Sequence, residues 1–300
     1  MTKMREDSLS QNNIIDYKKR SQVNLIWKRF KKSRTAIFGL VIITLFILIA
    51  ILADVIVDYK DGALYQDYEN RLALPSSEHW FGTDNFGRDM FARVIHGTRV
   101  SFAVGFSSVF FATILGILIG STSAYYGGFF DTILTRIMDA IMSIPSILLA
   151  IVIMAALGSG ASNLAIAMAI SSTPQFARLT RASVLSIIDV EYVLAAKAYG
   201  TSDLRIIFRH ILPNAFGPIM VKSTMSVATV IITAAGLSFI GIGVSPPTPE
   251  WGTLLAENRE FMRTNMNLVL FPGFVIVLSA LSLNLLGDGL RDALDPKLKN

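Results

Sequence analysis

The sequence has 300 residues, of which 52% are hydrophobic and 16% are charged, and its formal net charge is +5. So few charged residues cannot cover a soluble globule of this size, and the composition therefore indicates a membrane protein. The chain has no cysteine, which excludes disulfide bonds and thiolate metal sites, and its three histidines are too scattered for a zinc-binding pattern.

The N-terminal part of the chain is strongly basic. Residues 17–34 contain eight Lys or Arg residues and no acid. Because basic segments beside a membrane span stay in the cytoplasm, we predict that residues 1–34 form a cytoplasmic segment. The uncharged run that follows, residues 35–53, is long enough to cross about 30 Å of hydrocarbon. We predict a first transmembrane helix over residues 35–57.

The next segment, residues 58–99, is predicted to lie outside the cell. Asp84, Arg88, Asp89 and Arg93 follow one another closely and can pair among themselves, which favours a folded outer cap. A catalytic or cation-binding role for these carboxylates is the alternative interpretation. The interleaved arginines favour the structural one, because they neutralise the acids.

Residues 100–290 are predicted to form a core of five transmembrane helices. Together with the first helix this makes six spans, and the tail, residues 291–300, returns to the cytoplasm. Gly116 and Gly120 have the small-xxx-small spacing that permits close helix contact. The five predicted core spans are residues 100–130, 133–157, 161–177, 214–243 and 266–286.

Two residues in the span predicted over residues 133–157 are unusual in lipid. Pro145 removes a backbone donor and is expected to kink the helix. Asp139 is a candidate functional residue because it is an acid within a span. Its position near the inner end favours the alternative, a structural ion pair with Arg136 three residues away.

A polar stretch, residues 189–213, separates long apolar runs and predicts a short helix, a turn and a second short helix. Gly200 suits the left-handed residue that ends the first helix. Pro213 is expected to stop the second helix after Leu212. The apolar residues of the second helix are expected on one face: Leu204, Ile207, Phe208 and Ile211.

Two alternatives remain for this stretch, an ordinary helical hairpin and a DNA-reading helix-turn-helix. Nucleic acid requires an excess of positive charge. Here the acids, among them Asp203, balance the bases Lys197, Arg205 and Arg209. No nucleic-acid partner is therefore expected.

The spacing Ala195-Ala196, Gly200, Leu212-Pro213 resembles the cytoplasmic coupling loop of ATP-binding-cassette importer permeases. Three further stretches, residues 79–101, 246–256 and 284–298, resemble the C-type permease subunit of dipeptide, oligopeptide and nickel importers. Leu194 stands where the broad family often has an acid, so a salt bridge from that position is not implied. The ATPase-coupling residues that we infer are Ala195, Ala196, Gly200, Leu204, Phe208, Leu212 and Pro213.

The resemblance implies an all-α polytopic protein with a type I permease core over spans two to six and an extra N-terminal helix packed outside. It implies a bacterial inner or plasma membrane location with both termini in the cytoplasm. The implied partners are a sister permease in a heterodimer, two ATP-binding subunits and an extracellular substrate-binding protein. The implied mechanism is alternating access, in which ATP-driven movement of the 189–213 loop opens the cavity.

The chain contains no phosphate-binding Gly-rich loop, so ATP and Mg are expected on the partner subunits, with no catalytic, cofactor or metal residue here. The cargo implied is a di- or oligopeptide, and nickel or a metal chelate is the alternative. An ion-coupled secondary transporter would show clear midplane charges and internal repeats. An intramembrane hydrolase would show a catalytic motif. The sequence shows none of these features clearly, so both alternatives rank below the importer. No residue in the spans stands out as a ligand contact.

Overall fold

The structure, a computed structural model, describes residues 22–294, with side chains from residue 26 onward. The remaining parts of the predicted cytoplasmic segments, residues 1–21 and 295–300, lie outside the described residues. The α-helices are α1 Gln22–Phe30, α2 Arg34–Ile56, α3 Met90–Tyr126, α4 Gly128–Met142, α5 Ser146–Leu157, α6 Ala161–Leu185, α7 Glu191–Ala198, α8 Asp203–Ile206, α9 Leu212–Phe239, α10 Trp251–Asn258 and α11 Asn267–Leu294. No β-strand occurs among the described residues, as expected for an all-α protein.

In the described part of the chain, four helices are long and apolar enough to cross a membrane. They are α2, α3, the continuous helix Asp203–Phe239 and α11. The pair α4 and α5 adds a fifth span if both halves count as one. The one remaining predicted span, residues 161–177, falls within α6, which is long enough to cross but more polar. The count of six therefore depends on α6 and on the bent pair, and it stays a prediction.

The expected kink at Pro145 is confirmed. Helix α4 ends at Met142, α5 begins after Pro145, and the two axes differ by 86°. Proline lacks a backbone N–H and forces its predecessor out of the helical conformation, so the chain turns there.

Helix α3 begins at Met90, well before the span start expected at residue 100. Asp89 caps this helix, with its Oδ1 accepting a hydrogen bond of 2.8 Å from the N–H of Ala92. The sequence interpretation placed Arg93 and Arg99 in the outer segment, residues 58–99, before the span begins. The structure instead pairs both arginines with acids while they remain helical.

The longest helix contact joins α3 and α6, and two glycines make it possible. A Cβ added at Gly116 would overlap with Phe176, and one added at Gly120 would overlap with the backbone of Ala177. The close contact predicted from the small-xxx-small spacing is thus confirmed, and α3 and α6 form the centre of the core.

Helix α2 lies at the edge of the core and packs on α11. A Cβ at Gly39 would collide with the backbone of Ser282, and one at Gly289 would collide with Ala36. Much of the opposite side of α2 is exposed, including Leu48 and Val55. The first helix is therefore an addition to the core, as expected.

Candidate functional site: the 189–213 loop

The first half of the 189–213 loop ends in a left-handed glycine. Gly200 has a φ of +72°, its N–H donates to the carbonyl of Lys197 at 3.0 Å, and the N–H of Thr201 donates to the carbonyl of Ala196 at 3.1 Å. This pair of bonds is a Schellman motif, which closes α7. The conformation predicted for Gly200 is confirmed, and it turns the chain into α8.

The second half of the loop does not stop at Leu212, so that prediction is wrong. The chain continues from α8 through a π-helix, Ile207–Ile211, directly into α9, and the N–H of Leu212 donates to the carbonyl of Ile207. Pro213 falls in the first turn of α9, where its missing N–H is tolerated. The wider π-turn before it accommodates the ring. The loop is thus continuous with a long apolar helix.

The apolar face predicted for the second helix is divided in two. Ile207 and Ile211 are buried, whereas Leu204 is 65% exposed and Phe208 is 56% exposed. The prediction of one shared face is wrong: each buried isoleucine follows its exposed neighbour by three residues, an offset of about 60° round a helix that turns one pair inward and the other outward. Ile206, which the sequence interpretation missed, is fully buried.

A small core holds the loop against the ends of α3 and α6. Ile206 and Ile211 pack there with Val193 of α7, Val184 of α6 and Ala124 of α3. All five residues are almost completely buried. Both short helices are therefore anchored to the two central helices of the fold.

Tyr125 adds a polar tether to the same junction. Its hydroxyl donates a hydrogen bond of 2.7 Å to Oδ1 of Asp203 at the start of α8. The ammonium of Lys197, on α7, lies 5.0 Å from the centre of the Tyr125 ring. One side chain of α3 thus contacts both short helices. No motif in the sequence marked Tyr125.

The opposite surface of the loop is open and mostly apolar. Ala195 is exposed and Ala196 partly buried, and Gly200 and Pro213 are exposed. Phe208, Leu212 and Pro213 line a cavity of about 320 Å³ with residues of α3 and α9. We call a set of exposed apolar and small residues of the loop the coupling surface; exposed charged residues such as Lys197, Asp203 and Arg205 lie among them in the sequence. The set is Tyr192, Leu194, Ala195, Tyr199, Gly200, Leu204, Phe208 and Pro213.

Two ion pairs join α4 to α6 near the loop. Arg181 binds Asp131 through two bonds of 2.7 and 2.6 Å, and Arg178 binds Asp139 at 2.6 Å. The predicted pairing of Asp139 with Arg136 is therefore wrong. Helix packing places the arginine of another helix closer than the one three residues away.

At the other end of the fold, a buried ion network stabilises the predicted outer cap. Asp84 pairs with Arg88 and with Arg93, each at 2.6 Å. Glu257 of α10 pairs with the same two arginines at 2.9 and 2.7 Å. The predicted internal pairing is confirmed for three of the four residues, while Asp89 caps α3 instead. Glu257 was missed because it lies far away in sequence.

Two exposed carboxyls in the segment between α2 and α3 cap short helical turns. The backbone N–H groups of Asp61 and Lys60 lower the pKa of the Asp58 carboxyl. The side-chain amide of Asn70 lowers the pKa of the Asp67 carboxyl. Both groups therefore favour their charged forms, which are the better acceptors for these donors.

The sequence matches two family models. Residues 112–300 match the model described as "Binding-protein-dependent transport system inner membrane component". The chain belongs to this family. Residues 21–75 match a second model, "N-terminal TM domain of oligopeptide transport permease C", and this range contains α2. The extra helix of this ABC importer permease is thus a recognised feature of the permease C group.

Curated relatives of this permease cover nearly its whole length. The dipeptide transport system permease protein DppC of Alkalihalophilus pseudofirmus is 48% identical over 274 residues, which are 91% of this chain and 90% of the relative. The glutathione transport system permease protein GsiD of Escherichia coli O157:H7 is 45% identical over 273 residues, with the same coverage. The identification as an ABC importer permease of the C type, a multi-pass membrane protein, is confirmed.

A solved structure supports the fold. The inward-facing MetNI methionine ABC transporter matches with a TM-score of 0.54 at 20% identity, over 69% of this permease and 98% of the MetNI chain. At this identity the likeness bears on the fold alone. It confirms the importer permease core, and about a third of this permease lies outside the matched part.

Proposed function

We propose that this permease is the translocation subunit of an ATP-driven importer of di- or oligopeptides. A sister permease completes the pathway, two ATP-binding subunits dock at the 189–213 loop, and an extracellular binding protein delivers the cargo. ATP and Mg belong to the ATP-binding subunits. Both termini and the 189–213 loop face the cytoplasm of a bacterial cell, as the basic N-terminal segment favours.

The observation that carries the coupling role is the continuity of the loop with α9. Asp203–Phe239 runs as one helix of 37 residues, and its first part presents Leu204 and Phe208 outward. A continuous packed helix can carry energetic coupling between two sites. Movement of a partner that holds the coupling surface is therefore transmitted directly to a helix of the membrane core.

The loop also has the rigidity that a force-bearing contact requires. Its inner face is fixed by Ile206, Ile211 and Val193 in the small core and by the Tyr125 tether. Its outer face exposes small residues such as Ala195, which let another backbone approach closely. Closure of the ATP-binding subunits moves this unit and opens the cavity outward, and hydrolysis resets it.

The chemistry of the curated relatives favours peptide as the cargo. The names of the two relatives specify dipeptide and glutathione, which is itself a short peptide. A bare nickel ion would need oxygen, nitrogen or sulfur ligands in the pathway, whereas a metal chelate carries its own. The described residues contain no group of three or more His, Asp or Glu side chains arranged to hold a metal.

The test is uptake by the complete complex in proteoliposomes. The permease is purified with its sister, ATP-binding subunits and binding protein, and a labelled dipeptide is supplied with ATP. We expect ATP-dependent uptake that excess unlabelled peptide inhibits and a nickel chelate does not. Uptake without ATP indicates a secondary transporter, and inhibition by nickel chelates alone overturns the peptide assignment.

A further inference from the structure

One face of α9 is not covered by any other part of the chain that the structure describes. The opposite face packs on α3, where a Cβ at Gly105 would collide with Ile231, and on α10, where one at Gly252 would collide with Ala235. On the open face, a Cβ added at Gly236 would have no atom within 4 Å. Ile232 and Ile240 on this side are 50% and 55% exposed.

The open face carries the single charged residue of α9. Lys222, Thr229, Thr233 and Gly236 are spaced by seven, four and three residues, which places them on one side of a helix. The two threonine hydroxyls donate to carbonyls of their own helix. The ammonium of Lys222 makes no such bond to a described residue.

Lys222 makes no ion pair and no hydrogen bond with any residue that the structure describes. The arginines of α6 differ from Lys222 because each has an acidic partner. Arg178 and Arg181 of α6 each bind an aspartate of α4. A charge on an apolar helix is costly unless it meets water or an opposite charge. Lys222 therefore faces an aqueous path or an anion from outside this chain.

A second cation lies at the other end of α9. Arg259 lies over the ring of Phe239, 6.0 Å from its centre, and it makes no ion pair with a described residue. Along the helix, Lys222 and Phe239 are about 26 Å apart at 1.5 Å per residue. A protein that paired permanently with both cations would have to place one acid opposite each of them. A single anionic group that moves along the helix could instead meet the two cations in turn.

We propose that this face of α9 lines the cargo path and that Lys222 binds the carboxylate of the passing cargo. The inference rests on the proposed function, because a peptide carries a terminal carboxylate. Arg259 meets that group at the end near α10, the hydroxyls of Thr229 and Thr233 provide a polar surface between, and Lys222 holds it at the end near the coupling surface. Lys222 is thereby a specificity-determining residue for carboxylate-bearing cargo.

The first experiment locates the face without using a cargo. The chain has no cysteine, so Thr229→Cys and Thr233→Cys each give one thiol on this subunit in the assembled complex. The probe is an anionic methanethiosulfonate, and the control is Leu48→Cys on the exposed side of α2. We expect the two test sites to react at least about tenfold faster, since thiolates form in water and not in lipid. Equal rates at all three sites overturn the proposal.

The second experiment tests the role of Lys222. Uptake of a labelled dipeptide is compared with uptake of its C-terminal amide, for the unchanged complex, Lys222→Gln, Lys222→Arg and the control Lys60→Gln, an exposed lysine outside the spans. The unchanged complex, Lys222→Arg and Lys60→Gln are expected to favour the free acid about tenfold. Lys222→Gln is expected to lose this preference through a higher KM for the free acid.

Three outcomes contradict the carboxylate contact. If Lys222→Gln keeps the preference for the free acid, the lysine only extends to solvent at the end of the span. If Lys222→Gln loses the sister permease on co-purification, its partner is an acid of that subunit. If the unchanged complex imports dipeptide and amide equally, no residue of the complex distinguishes the carboxylate from the amide. If the unchanged complex imports no peptide at all, the proposed function is rejected. Thiol labelling still decides whether this face of α9 is accessible to water.

Discussion

The hydroxyl of Tyr125 donates a hydrogen bond of 2.7 Å to Oδ1 of Asp203, and this bond ties the last turn of α3 to the first residue of α8. It joins the central helix of the fold to the part of the 189–213 loop that is continuous with α9. A charge-assisted bond of this kind is among the stronger ones.

Tyr125→Phe removes this bond and leaves the ring in place. We expect the loop to loosen by about 1–2 kcal/mol and the number of ATP molecules hydrolysed per imported peptide to rise. The control is Tyr126→Phe, since the neighbouring tyrosine is half-exposed and makes no side-chain hydrogen bond in the described structure. Equal coupling in the two variants would show that the tether does not act in transport.

Phe208→Ala tests the apolar character of the coupling surface. Phe208 is exposed in the isolated chain, so its loss weakens docking of the ATP-binding subunits by about 2 kcal/mol without unfolding the permease. Arg205→Ala, at an exposed position, is expected to cost under about 1 kcal/mol and to depend on salt. Co-purification at low and high salt measures both. Loss of association with Arg205→Ala alone would make the contact electrostatic.

Gly200→Val tests the turn between α7 and α8. A β-branched residue at a φ of +72° is strained by about 1 kcal/mol or more. We expect membrane insertion to persist and ATP-driven uptake to fall. Gly273→Val is the matched control, because that glycine has a helical backbone and a Cβ there meets no atom within 4 Å. Normal uptake by the Gly200 variant would contradict a rigid turn.

Glu257→Gln tests the buried ion network. The change leaves Arg88 and Arg93 buried with one carboxylate between them, which costs about 3 kcal/mol or more. We expect a clear fall in the unfolding temperature of the detergent-solubilised permease. Glu260→Gln, at an exposed site nearby, is expected to leave that temperature unchanged. Similar unfolding temperatures in the two variants would mean that Glu257 contributes little.

Ser77→Cys tests the orientation of the chain. Ser77 is exposed in the segment between α2 and α3, which we expect outside the cell. A membrane-impermeant thiol reagent should label it in intact cells. Ser202→Cys, exposed in the 189–213 loop, should react only after the membrane is opened. The reverse pattern would invert the predicted topology.

The sequence by itself determined the features that depend on local chemistry. Long uncharged runs required apolar surroundings, Gly116 and Gly120 permitted close helix packing, Pro145 broke a helix, and Gly200 adopted the left-handed conformation. Each follows from the backbone geometry of one residue or from the solvent that a run of side chains requires.

Only the tertiary structure decided which distant residues meet. Asp139 binds Arg178 rather than Arg136, and Glu257 completes a network that begins at Asp84. The same holds for Lys222, whose lack of a partner among the described residues was visible only once the faces of α9 were known. Local periodicity fixes which side of a helix a residue occupies. The neighbour on that side depends on how the helices pack, and a single sequence does not state that arrangement.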